Sequence, residues 1–134
     1  MLLRLSACWF AAMLVTAAIG AVSAAEIAFP FGSELMLDGK TTRGHKRLPT
    51  IAIERDGAAA IDLWCGSVRA QATVGAGTIS FASVTRDNGQ CDAERIAGDD
   101  DLLDTIMHMT NWRRRGDSVE FSGATTLRYH LMTN

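Results

Sequence analysis

The chain has 134 residues, with 13 basic and 15 acidic side chains and a net charge of −2. That length allows one domain and excludes a multidomain machine. The slightly acidic balance excludes the basic footprint expected of a nucleic-acid binder.

The chain opens with Arg4 and then carries no charged residue from position 5 to 25. The apolar run "LSACWFAAMLVTAAIG" is followed by "AVSAAE", whose small residues fit the −3 and −1 positions of a signal cleavage site. Residues 1–25 therefore read as a secretory signal peptide, cut after Ala24 or Ala25. An uncleaved membrane anchor is the competing reading, since the uncharged run is long enough to span. The small-residue segment argues against it. "LSAC" resembles a lipobox, but it precedes the apolar run instead of following it. Cleavage removes Arg4 and Cys8 and leaves residues 26–134 as one domain with a net charge of −3.

"FGSELMLD" predicts a first strand, with Leu35 and Leu37 inward. "GKTTRGHKR" is a polar, basic loop. "DGKTTRG" is not a phosphate loop, because Glu34 stands where that motif needs its first glycine. "PTIAIER" alternates at Ile51 and Ile53, and "RDG" predicts a tight two-residue turn. "AAAIDLWC" puts Ile61, Leu63 and Cys65 on one strand face, with Trp64 on the other. "SVRAQATV" and "TISFASV" alternate on either side of "GAG", the second with Ile79 and Phe81 inward. Short half-buried strands joined by short turns predict an antiparallel meander.

The period changes at "AGDDDLLDTIMHMTNWRRRGD". Leu102, Leu103, Ile106 and Met109 recur at helical spacing. Asp99 is the expected cap, with Asp100 and Asp101 in the first turn. Arg113, Arg114 and Arg115 fall at the C-terminal end of the dipole, and Gly116 stops the helix. Trp112 ends the apolar stripe. "DSVEFSG" and "ATTLRYHLM" predict a closing strand pair. The expected fold class is α+β: seven or eight strands in a mainly antiparallel β meander, barrel-like or strongly twisted, with one α-helix packed against it.

Chemistry is thinly represented. An exported chain that keeps two cysteines, Cys65 and Cys91, is expected to pair them, because its compartment is oxidising. Buried free thiols, a reactive thiol and a metal ligand are the alternatives. No close Cys pair of the zinc type is present. "DDD" lacks the spacing of a calcium loop. Of the mature histidines, His45, His108 and His130, the last two are expected to be solvent-facing or satisfied. No nucleophile motif appears. No catalytic residue, cofactor or metal is expected, and the protein does not read as an enzyme.

The order of elements resembles the META domain, also called the HslJ-like family, over roughly residues 31–132. The counterparts are "LWCGS" with Cys65, "SVRAQATVGAGTISF", "SVTRDNGQC" with Thr85 and Cys91, "DDDLLDTIMHMTNW" and "RRGDSVEF". Trp64 stands where glycine is usual, and Gly66 where asparagine is usual. The resemblance implies a β-rich domain with one helix, found in bacterial envelopes or secreted. It also implies a loose association with stress response, and it carries no catalytic residues.

The expected role is a periplasmic or secreted protein that binds an unidentified protein or envelope component. It would be a monomer, with no nucleic acid and no stable membrane insertion after cleavage. Its candidate binding residues are Trp64, Arg43, His45, Lys46 and Arg47. The alternative is a secreted inhibitor of a foreign enzyme such as a lysozyme or protease, presenting "GKTTRGHKR" or "RDNGQ".

Overall fold

Alternating apolar residues build eight strands, all paired antiparallel, in the computed structural model of the protein, which describes residues 28–39 and 47–133. They are β1 (Glu34–Leu37), β2 (Thr50–Ile53), β3 (Ala58–Asp62), β4 (Ser67–Val74), β5 (Ile79–Asp87), β6 (Asn111–Arg115), β7 (Ser118–Ser122) and β8 (Thr126–Leu131). A helix, α1 (Ala93–Met107), separates β5 from β6. The strand order is β5-β4-β3-β2-β1-β8-β7-β6. Two meanders are thus joined where β8 pairs with β1. The sheet curls until its two edge strands meet at one end. There Thr78 bridges Asn111, the Ile79 N–H donates to the Thr110 carbonyl at 3.0 Å, and the Trp112 N–H donates to that of Gly77 at 3.1 Å. The result is a half-barrel with one helix among the described residues, in agreement with the α+β expectation.

The inward face carries Leu35, Ile51, Ile53, Ile61, Val68, Ile79, Phe81, Val119, Phe121 and Tyr129. α1 adds Leu102 and Ile106, and Met109 follows just past its end. Phe29 precedes the first strand yet lies in the core, 5.1 Å ring to ring from Trp112. The Tyr129 ring packs edge-on against Phe121 at 5.5 Å. Burial pushes the pKa of its hydroxyl far up, and that hydroxyl has no hydrogen-bond partner among the described residues.

Turn chemistry follows local sequence. The "RDG" hairpin forms, but with three loop residues instead of two. The Gly57 N–H donates to the Glu54 carbonyl, and the Glu54 N–H donates to that of Ala58. Gly57 takes the positive φ of +89° that ends such a loop. A Cβ there would lie 2.4 Å from the Ala72 carbonyl oxygen.

One irregularity redirects β5. Its pairing with β4 shifts between Arg69 and Gln71, so that Ser83 and Val84 together face Ala70. A bulge of this kind inverts the side-chain alternation beyond it. Phe81 points inward before the bulge, and after it Arg86 pairs with the buried Val68. Arg86 thereby reaches the helix, with one guanidinium nitrogen paired to Asp100 and another 3.4 Å from the Ile96 carbonyl. Arg86 of "RDNGQ" is therefore turned toward the helix, with its side chain 23% exposed.

The helix differs from its predicted extent. It begins about two turns earlier, at Ala93, where the Asp92 carboxylate caps it by accepting the Arg95 N–H at 2.9 Å. Asp99 is not a cap but an interior position. Its far end also lies earlier: His108 is the C-cap, and Arg113–Arg115 are the last three residues of β6. Gly116 opens the two-residue turn between β6 and β7. Trp112 is core as expected, but from a strand.

Gly98 explains the misplaced start, since glycine costs a helix interior about 1 kcal/mol relative to alanine. A Cβ at Gly98 would meet nothing within 4 Å. Gly98→Ala is therefore expected to raise stability by about 0.5–1 kcal/mol, read as a higher urea midpoint at unchanged slope. A lower midpoint would show that the helix needs glycine there.

Candidate functional site

Leu63–Gly66 is the turn between β3 and β4. The Leu63 N–H donates to the Gly66 carbonyl at 2.9 Å, which reverses the chain. The predicted strand therefore stops at Asp62. Cys65 is half-buried in the turn instead of pointing inward from a strand. Its sulfur is bonded to Cys91, with the two Cα atoms 6.1 Å apart. Cys91 lies just before the helix cap, so the bridge ties the turn to the start of α1.

Asp99 makes the second tie. It is completely buried. Its carboxylate accepts the Cys65 N–H at 3.1 Å and the Gly66 N–H at 2.6 Å. Charge-assisted bonds of this kind are roughly twice as strong as neutral ones. From the other side, Arg47 donates to the Cys65 and Gly66 carbonyls at 2.8 and 3.1 Å. The turn's N–H groups thus meet an anion and its carbonyls meet a cation. A Cβ on Gly66 would come within 2.8 Å of the Asp87 carbonyl oxygen and 3.2 Å of an Asp99 carboxylate oxygen. Glycine at 66 is what lets the helix carboxylate approach this closely.

Residues 32–133 match the family model of the META domain. The chain belongs to the META-domain family. No curated protein matches it significantly in sequence. One solved structure, determined by NMR, shares the fold with a TM-score of 0.58 at 12% identity, over 74% of this chain and 88% of that one. In this META domain the half-barrel begins before the family match, because Phe29 belongs to its core.

The turn joins two of the candidate binding residues: Arg47 grips the backbone of the residue that follows Trp64. Trp64 is half-buried and packs against the core. Arg43, His45 and Lys46 lie outside the described residues, as do residues 1–27. Asp99 was missed as a site residue, although the sequence held a signal. It precedes Leu102 by three positions and Ile106 by seven, which puts it on the buried stripe of one helix.

Groups with ordinary reactivity are already engaged here. The cysteines are bonded to each other, and Asp99 is spent on two amides. His108 Nδ1 lies 2.8 Å from the Asp104 carbonyl, and His130 pairs with Asp38. His108 and Asp104 line an open cleft of about 450 Å³ with Thr105 and Thr125. No group of three His, Cys, Asp or Glu residues that could hold a metal occurs among the described residues. None of the described helices is long and apolar enough to cross a membrane.

The arginine run, displaced from the helix end, has a different setting. Strand alternation sends Arg114 inward, where it donates to the Ala28 and Gly116 carbonyls. Arg113 and Arg115 face outward. Arg113, Glu120 and Arg128 lie opposite one another on β6, β7 and β8. Glu120 accepts from Arg113 at 2.5 Å and from Arg128 at 2.6 and 3.1 Å. These bonds, Arg113 first, hold its carboxyl below the ordinary value of 4.5.

A lowered folded-state pKa contributes stability above the unfolded value, and that contribution is lost as pH falls through the folded one. Glu120 is expected to titrate by carbon-13 NMR below a reference glutamate. Arg113→Gln should raise its midpoint, and an unmoved midpoint would dismiss the arginine as the cause.

Proposed function

We propose that this META-domain protein is exported and acts without catalysis. It works as a monomer in the bacterial envelope, in a stress-related role, by binding a protein or envelope component. The observation that carries the reading is the Leu63–Gly66 turn, where a disulfide, a buried carboxylate and Arg47 hold Trp64 in a fixed setting. Rigid elements place an aromatic at low entropic cost, and aromatics and arginine dominate binding hot spots. The disulfide fits an oxidising compartment. The inhibitor reading is less well supported, because Arg86 of "RDNGQ" is turned toward the helix.

Capture from an envelope extract tests the binding reading. Trp64→Ala is expected to lose a partner that the parent retains, at a melting temperature high enough to show a folded domain. Equal capture by both proteins would overturn the role of Trp64. Intact mass tests export: the exported protein is expected to start at Ala25 or Glu26, and a retained residue 1 would overturn cleavage.

A further inference from the structure

The outer face of β6, β7 and β8 carries a cationic arrangement that the binding turn does not use. Arg113 and Arg115 stand two residues apart on β6, so both side chains leave the same face. Ser118 lies opposite Arg115, and Arg128 lies beyond Glu120. Arg113, Arg115, Ser118, Glu120 and Arg128 line one cleft of about 240 Å³. Three arginines and one carboxylate line the cleft, a sum of +2, and Asp38 lies near enough to Arg128 to act on it. Glu120 takes one N–H from Arg113 and two from Arg128. Each guanidinium has five N–H groups, so both retain donors. The Arg115 side chain has no hydrogen-bond or ion-pair partner among the described residues. The side chains of Arg113 and Arg128 remain 59% exposed despite the pairing.

The fixed carboxylate orients two of the cations while leaving an excess of positive charge. A single planar carboxylate ligand engages one guanidinium fork. Donors arriving from three strands, with the Ser118 hydroxyl among them, suit a tetrahedral anion with more than one charge. We infer that the cleft between Arg113, Arg115, Ser118 and Arg128 is a phosphate-group site, with Glu120 as the residue that positions its arginines. A phosphate group reaches an envelope protein as free phosphate or on a lipid headgroup, and both present the same oxygens. The inference deepens the binding reading by naming the chemistry of a second face. It fails separately, since capture through Trp64 should survive in Arg115→Gln.

The test is NMR of the arginine Nε–H signals, with inorganic phosphate added to the full mature domain at constant ionic strength. Saturable shifts of Arg113, Arg115 and Arg128 are expected. Arg115→Gln should weaken binding about tenfold, the worth of a charge-assisted contact. Glu120→Gln should tighten it, because the amide oxygen still accepts from the arginines while the competing charge is gone. Backbone spectra check that both exposed-face variants stay folded. Shifts that do not saturate, or that Arg115→Gln leaves unchanged, would overturn the site. Vesicles of phosphatidylcholine with and without phosphatidylglycerol separate the sources. Sedimentation with the anionic vesicles alone, lost in Arg115→Gln, assigns a lipid headgroup. Phosphate saturation without vesicle binding assigns the free anion. Absence of both kinds of binding sinks the inference.

Discussion

Asp99→Ala is expected to cost about 3 kcal/mol of unfolding free energy, as a buried amide and a half-buried one lose their acceptor. For a domain of this size that is a fall in Tm of about 10–20 °C. Cys65 and Gly66 would each lose the carboxylate that now lies 3.1 and 2.6 Å from their N–H groups. The Asp99 side chain is fully buried, out of contact with bulk solvent. Asp99→Asn should fall between parent and alanine, because an amide keeps one acceptor but turns a donor toward the other N–H. Thermal melts of the three proteins check the ranking. A loss below about 0.5 kcal/mol in Asp99→Ala, the scale of an ordinary surface change, would show that the carboxylate does not hold the turn.

Breaking the Cys65–Cys91 bridge is the second large effect. The cysteines are 26 positions apart. In the chain-entropy model, closing a loop of that length contributes about 3.5 kcal/mol. The double variant Cys65→Ala/Cys91→Ala should lose that amount, and the parent should lose it on reduction. Intact protein should resist alkylation until a reductant is added; labelling of either cysteine beforehand would contradict the bridge. The two effects should not add fully. Disulfide and carboxylate fasten the same turn to the same helix, and ties that share a partner are coupled. With the bridge gone, Asp99→Ala should cost less than it does in the parent. Equal costs in both backgrounds would mean that the two ties act independently.

The strands were legible because their signal is local. Leu35/Leu37, Ile51/Ile53 and Ile79/Phe81 alternate in sequence and are buried in the structure. Turn glycines such as Gly57 were legible for the same reason. The helix was legible in type but not in position. Gly98 weakened the pattern at its middle, and three aspartates in a row looked like a beginning. Burial of Leu102 and Ile106, together with the ties at Asp99, outweighs that propensity. "RRR" beside a predicted helix end had a sufficient explanation in the dipole. It lost that explanation once β6 was found there.

The sequence by itself determined an α+β chain of short antiparallel strands, one late helix and two cysteines suited to each other. All of these rest on period and composition, and the cysteine pairing also on the expectation of export. Only the tertiary structure decided what the carboxylate of Asp99 meets. It alone also decided which arginines share a face, why Gly66 has no side chain, and that β8 closes against β1. Those facts depend on residues about 15 to 96 positions apart in the chain. Their contacts exist only after the sheet has curled, and no periodicity along the sequence encodes the distance across it.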